Sequence, residues 1–326
     1  MTMKLEGIHH ISAITADAVG NVEFYTGVLG LRMVKQTVNQ DDPRVYHLFY
    51  GDEHGSPGAD LTFFEYPGAA PGQAGAGMVH RIAWRVGSAA ALDFWAERLG
   101  EHEVPSTRAD SGLLFSDPEG LHHELSVVAV PDQPLVAATP GIPAELALQG
   151  FDGVRAYSAK PARSERLLRD TLGFSGGEHD RWEMRGERRG GYYAYDPPPP
   201  THARMGAGSM HHVAFAVESG DQPAWRERLI EAGFHPTPVI DRFYFKSVYM
   251  REPSGVILEL ATVGPGFGAD EQEAHLGERL SLPPKFEPLR AELERTLTQL
   301  PVPRHRTPGE GSGARGSGQS VRGDRA

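Results

Sequence analysis

Apolar and polar positions along the chain repeat one order four times. Each segment holds a short apolar strand, a polar break, an amphipathic helix closing on Leu-Gly or Ala-Gly, then further strands. The first runs from Gly7-Ile8-His9-His10-Ile11-Ser12 through Asn21-Val22-Glu23-Phe24-Tyr25 to Val28-Leu29-Gly30-Leu31. The second joins Met78-Val79-His80-Arg81-Ile82-Ala83-Trp84 to a helix from Leu92 to Gly100. In the third, Gly153-Val154-Arg155-Ala156-Tyr157 precedes a helix from Arg166 to Gly173; in the fourth, Met210-His211-His212-Val213-Ala214-Phe215 precedes one from Trp225 to Gly233. The glycine after each helix is the expected stop, because it tolerates a left-handed backbone. Asp117-Pro118-Glu119-Gly120 and Glu252-Pro253-Ser254-Gly255 are tight turns feeding strands that carry Glu124 and Glu259. Modules one and three close less regularly, with residues 60–65 and 191–195. The pattern predicts an α+β protein of four βαβββ modules, arranged as two open barrels.

The boundaries follow from composition. Modules one and two occupy 5–130 and modules three and four 149–265, with a proline-bearing linker from Val130 to Leu148 between them. A C-terminal extension covers 266–300, with a helix expected from Glu287 to Leu300. Residues 301–326 are mostly Gly, Ser, Arg and Pro without apolar periodicity and read as a disordered tail.

Composition narrows the chemistry. The formal charge of −11 argues against nucleic acid as a partner, since that contact needs clustered Lys and Arg. Cysteine is absent, which removes disulfides, thiolate metal sites and a Cys nucleophile. No apolar run is long enough for a membrane span, and Met1 to Glu6 has no apolar signal core behind Lys4. A cytoplasmic protein without membrane contact is the expectation.

Among 15 histidines, placement carries the information. His10, His80 and His212 read as equivalent points on the first strands of modules one, two and four, with Arg155 in module three; Glu124 and Glu259 match on the last strands. Two imidazoles and one carboxylate converging in a barrel form a facial set that leaves positions open on Fe(II) for substrate and O2. A Glu between Leu258 and Leu260 is costly to bury without a cation. Pairing modules one and two gives His10, His80 and Glu124; pairing one and four gives His10, His212 and Glu259. Spacing does not choose between them.

Gly-Ile-His-His-Ile-Ser at 7–12, Met-His-His-Val-Ala-Phe at 210–215 and Ile-Leu-Glu-Leu-Ala-Thr at 257–262 resemble the vicinal oxygen chelate superfamily. More narrowly, the chain resembles its ring-cleaving dioxygenases acting on hydroquinones, over about residues 5–300, including Gly277-Glu278-Arg279-Leu280-Ser281-Leu282-Pro283-Pro284. The resemblance implies metal ligands at His10, His212 and Glu259. It implies catalytic roles for His9, Ser12 (often Thr in the family), His211, Arg242 and Tyr249. It further implies Fe(II), with Mn(II) as the alternative ion, O2 as co-substrate, a small aromatic diol as substrate, and a homodimer. Arg242 would hold a phenolate or developing charge, with surface pairing to Asp241 as the plain alternative. Tyr249 or a neutral His would move the phenol proton, and Phe243 and Phe245 would sandwich the ring. A catechol dioxygenase, a glyoxalase-like lyase with Glu65 as fourth ligand, and a metal-free binder are the competing readings. His122 and His123 are either a remnant site in the second barrel or plain surface.

Overall fold

The computed structural model describes residues 3–301. Module one supplies β1 (Ile8–Thr15), helix α1 (Ala18–Val22), β2 (Arg32–Val38), β3 (Tyr46–Gly51) and β4 (Asp60–Glu65). Module two supplies β5 (Val79–Val86), α2 (Ala89–Glu101), β6 (Ser106–Ala109), β7 (Gly112–Ser116) and β8 (His122–Val127). Module three holds β9 (Phe151–Tyr157), β10 (Ser175–Gly176), β11 (Arg181–Arg185) and β12 (Gly190–Asp196). Module four holds β13 (Met210–Val217), α3 (Gln222–Glu231), β14 (Ile240–Asp241), β15 (Lys246–Arg251) and β16 (Ile257–Thr262). The α+β class and the modular plan are those expected.

Local chemistry explains the helices. Asp17 caps α1 by accepting from Gly20 N at 3.0 Å, and Ser88 caps α2 by accepting from Ala91 N at 3.2 Å. Helix α2 buries Ala91, Leu92, Trp95 and Leu99 along one stripe. Gly30, Gly173 and Gly233 do take positive φ after their helices, but Gly100 does not: α2 continues to Glu101 and the left-handed residue is Glu103, at φ 57°. Glycine permits that backbone without compelling it. In modules one and three the helix widens into a π turn, at Glu23–Val28 and Arg166–Thr171. The first of these turns Phe24 and Tyr25 into the core.

Two eight-stranded sheets result, ordered β14-β15-β16-β13-β1-β4-β3-β2 and β10-β11-β12-β9-β5-β8-β7-β6. Antiparallel β1–β13 pairing joins modules one and four, and β5–β9 pairing joins modules two and three. The sheets therefore pair modules across the spans 5–130 and 149–265 rather than within them. All eight residues of β1 are buried, so it needs a strand on each side, and β13 and β4 supply them. The first sheet also curls on itself. Edge strands β14 and β2 end at opposite sides of the order, yet Gln40 and Asp41 after β2 hydrogen-bond Arg242 after β14.

The extension lies along edge strand β2. Arg32 donates to Glu273 O at 2.9 Å, Gln36 Nε2 to Gly277 O at 2.7 Å, and Ser281 N to Gln36 O at 2.8 Å. An edge with open N–H and C=O groups is thereby covered. The expected helix from Glu287 to Leu300 is shorter: a 3-10 segment spans Pro284–Leu289 and α4 only Arg290–Thr296. Pro288 has no N–H to give an α-helical bond, so the α-helix begins after it. The tail reading, beyond Pro301, lies outside the described residues. Among the described residues no helix is long and apolar enough to cross a membrane.

The linker is pinned by Asp132. Its carboxylate, almost fully buried, pairs with Arg85 Nη1 at 2.5 Å and with Arg185, and accepts from Gly190 N at 3.1 Å. Burial alone would raise its pKa, but Arg185, Arg85 and the amide hold it down to about 2. A depressed carboxylate contributes stability above its unfolded value, about 3.9, and loses it as pH falls through about 2. Asp132→Asn should therefore cost on the order of 1 kcal/mol at pH 7, after solvent screening. Urea midpoints of the two proteins should differ at pH 7 and converge near pH 2; equal midpoints at pH 7 would refute the anchoring role.

Candidate metal centre and its cavity

The residues of the centre come from three adjacent strands. Ser12 on β1 lies opposite His212 on β13, and Ala214, two residues on from His212, lies opposite Glu259 on β16. His10 and His212 follow that two-residue step on their strands, so both rings emerge on the barrel's inner face with Glu259. His10 Nε2 lies 3.1 Å from His212 Nε2 and 3.3 Å from Glu259 Oε2; His212 Nε2 lies 2.9 Å from Glu259 Oε2. All three residues are buried, and Glu259 is fully sealed from solvent.

Their tautomers follow from neighbours. Thr262 O can only accept, so His9 Nε2, 3.2 Å away, carries a hydrogen. Burial, with His10 beside it, pushes His9 down to about 3, so the ring is neutral and its Nδ1 accepts. The donor to it is His10 Nδ1–H at 3.0 Å, which leaves the lone pair of His10 on Nε2. His212 Nδ1 sits 2.8 Å from His211 Nδ1; where His211 accepts there, the lone pair of His212 falls on Nε2. Burial lowers His212, and it lowers His211 to about 4.

Three lone-pair atoms thus face one another. Neither oxygen of Glu259 has an aligned hydrogen-bond donor among the described residues, despite the short N–O separations. Such a set repels itself unless a cation lies between its members. Donors about 2.1 Å from an octahedral ion are about 3.0 Å apart, against about 3.4 Å for a tetrahedral one. The edges of 2.9, 3.1 and 3.3 Å bring the three donors within reach of one divalent ion. His10, His212 and Glu259 are the one such group among the described residues.

A cavity opens beside them. His10, His212, His47, Phe49, Phe64, Phe245, Tyr249, Arg242 and the segment Thr37 to Asp41 contribute to its wall. Of the other residues singled out in the sequence, Arg242 and Tyr249 line it, whereas His9 and His211 stand behind the imidazoles at Nδ1 and Ser12 meets His212 at Nε2. Ser12 Oγ is 3.1 Å from His212 Nε2 and 2.7 Å from Thr62 Oγ1, which lies 3.0 Å from His47 Nε2. Tyr249 is the cross-strand neighbour of Glu259, and burial, with Glu259, raises its hydroxyl above the ordinary value. Arg242 does not pair with Asp241. It binds Asp41 through Nη1–Oδ1 and Nη2–Oδ2 contacts of 2.9 Å each, while Asp241 accepts from Phe243 N. Phe245 lines the cavity, its ring 5.1 Å from His10; Phe243 does not, because its φ of 70° turns it to the rim against Tyr244.

Glu65 is remote from the centre, buried, and accepts from Thr298 at 2.7 Å, anchoring the extension. Sequence reasoning missed Asp41, Thr62 and His47. The latter two are polar residues inside otherwise apolar strands, a signal shared with His10 and Ser12. Asp41 sits in a polar loop and carried no signal.

The second barrel departs from the equivalences read in the sequence. Glu124 pairs with Ala83 as Glu259 pairs with Ala214, so two residues back Arg81, not His80, is level with His212. His80 is level with His211. Arg155 pairs with Arg81 as Ser12 pairs with His212, which puts Gly153 level with His10. The metal set is replaced there by an Arg81–Glu124 ion pair at 3.1 Å. The Tyr192 ring occupies the place of the missing imidazole: a Cβ on Gly153 would lie 2.4 Å from it. His80 instead pairs with Asp196 at 2.8 Å and stacks on Tyr157. His123 is fully buried, neither surface nor metal ligand: it accepts from Trp84 Nε1 at 3.1 Å and meets Tyr25 Oη at 3.1 Å. A one-residue offset in a strand swaps faces, which a motif alignment does not register.

The sequence model of the Glyoxalase/Bleomycin resistance protein/Dioxygenase superfamily matches residues 7–125. The chain belongs to this superfamily. Within it, relatives matched over nearly their whole length carry dioxygenase names. It is 39% identical to MhqA of Bacillus subtilis (strain 168), named as a ring-cleaving dioxygenase, over 91% of this chain and 100% of that one. It is 32% identical to the chlorohydroquinone/hydroquinone 1,2-dioxygenase of Sphingobium indicum, over 90% of this chain and 96% of that one. A crystal structure described as a Bacillus subtilis dioxygenase superposes with a TM-score of 0.86 at 37% identity, covering 92% and 99% of the two chains.

Proposed function

We propose that the protein is an Fe(II)-dependent dioxygenase that opens the ring of hydroquinone-type diols, with His10, His212 and Glu259 as metal ligands. The observation that carries this reading is the buried set of two imidazoles and one carboxylate, with His10 and His212 opening on a largely aromatic cavity. The kinship with the hydroquinone dioxygenase supports the substrate class. Fe(II), when bound, supplies the open coordination positions and electron transfer that let a diol react with O2.

The chain's own residues do the rest. His9 and His211 hold His10 and His212 in the tautomer that presents Nε2. Phe245, with Phe49 and Phe64, gives the ring an apolar slot and keeps water from it. Tyr249 stays protonated and offers a hydrogen bond to oxygen atoms of the reactants beside Glu259. Ser12, backed by Thr62, places a hydroxyl 3.1 Å from His212 Nε2 and steadies that ring.

Oxygen uptake by anaerobically Fe(II)-loaded protein tests the proposal, with hydroquinone, methylhydroquinone and catechol offered in turn. Uptake with the para-diols, accompanied by a ring-opened product, is expected. Uptake with catechol alone would move the substrate class, and none from iron-holding protein would end the dioxygenase reading.

A further inference from the structure

Among the described residues lining the cavity, Arg242 is the only guanidinium and Asp41 the only carboxylate. They come from opposite edges of the same sheet and meet across its seam, at the cavity mouth. Both terminal nitrogens of Arg242 are committed to Asp41, at 2.9 Å each. The Arg242 side chain is 18% exposed and that of Asp41 72% exposed, so the cation faces inward and its counter-charge faces out. The guanidinium carbon also stands 5.6 Å from the Tyr249 ring, which fixes its inner side.

The backbone under Arg242 is held independently of that pair. Its carbonyl accepts from Gln40 Nε2 at 2.5 Å and from Tyr244 N at 2.8 Å, the latter closing a γ-turn on Phe243. Losing the Asp41 charge would therefore free the guanidinium without moving the chain that carries it.

We propose that Asp41 is a specificity-determining residue: by occupying Arg242 it makes the cavity take uncharged diols and turn away rings that bear a carboxylate. A carboxylated ring would otherwise find in Arg242 a planar, bidentate partner at the edge of a sheltered site. With Asp41 in place, that fork is filled and a second negative charge meets repulsion, a discrimination built from an unfavourable contact. The inference rests on the cavity being the substrate site.

The test compares wild type, Asp41→Asn and Asp41→Asn/Arg242→Gln. Calorimetry on the metal-free proteins would measure binding of 4-hydroxybenzoate and of phenol. The affinity ratio of 4-hydroxybenzoate to phenol should rise about tenfold or more in Asp41→Asn, as for a hydrogen bond to a charged group, and return to the wild-type ratio in the double variant. With Fe(II) loaded, the kcat/KM ratio of 2,5-dihydroxybenzoate over hydroquinone should rise in the same direction. An unchanged binding ratio in Asp41→Asn, or a gain that survives Arg242→Gln, would overturn the proposal. If no variant opens any ring, the dioxygenase reading fails, while the binding ratios still decide what Asp41 does.

Discussion

His212→Ala protein, reconstituted with Fe(II) under argon and desalted, is expected to hold less than about a tenth of the wild-type iron and to consume no O2 with hydroquinone. The centre offers three ligands from three strands, and His212 Nε2 is the one closest to Glu259, at 2.9 Å. Without it, two donors remain for an ion that needs a facial set to stay bound. Glu259→Gln should lose metal as well: burial alone would raise the Glu259 carboxyl, but His10 and His212 hold it well below the ordinary range, and the amide gives up that charge. Glu124→Gln is the control, since its partner is Arg81: its iron content should match wild type. Iron retained by His212→Ala, or lost by Glu124→Gln, would place the metal elsewhere.

Lys35→Met should lower stability by about 3–5 kcal/mol, the usual cost of removing one partner from a buried ionic cluster. The ammonium is fully buried. It donates to Asp270 at 2.8 Å, to Phe267 O at 3.1 Å and to Glu271, whose other oxygen is sealed with no partner among the described residues. Removing Lys35 leaves two carboxylates near one another in a space that Phe267 and Tyr244 keep dry. Because Asp270 also accepts from Tyr244 Oη at 2.9 Å, the loss reaches the hairpin that carries Arg242 and Phe245. The expected sequence of events on adding urea is early release of the extension from β2, seen as protease cleavage within 266–300, ahead of the barrels. A midpoint equal to wild type would mean the cluster contributes nothing net, as some buried ion pairs do not.

The repeat was legible because its signals are local. The acid-Pro-x-Gly turns and the glycine stops after three of the helices each depend on a few neighbouring residues, and the structure keeps them. Resemblance to a family likewise pointed to His10, His212 and Glu259, residues that the structure brings within 3.3 Å. The Gly100 stop and the single helix to Leu300 were misread where a local preference was taken as a requirement.

By itself, then, the sequence determined the α+β modules, their strand order within each module, and the residue types able to hold a metal. Only the tertiary structure decided that module one pairs with four, that Arg81 rather than His80 stands level with His212, and that Asp41 closes over Arg242. The physical reason is range. All four modules offer an apolar first strand that would pair with any of the others, and a one-residue offset between strands leaves the local pattern unchanged while exchanging the faces. Those choices are made by packing between residues from 43 to 201 positions apart, where no neighbouring residue records them.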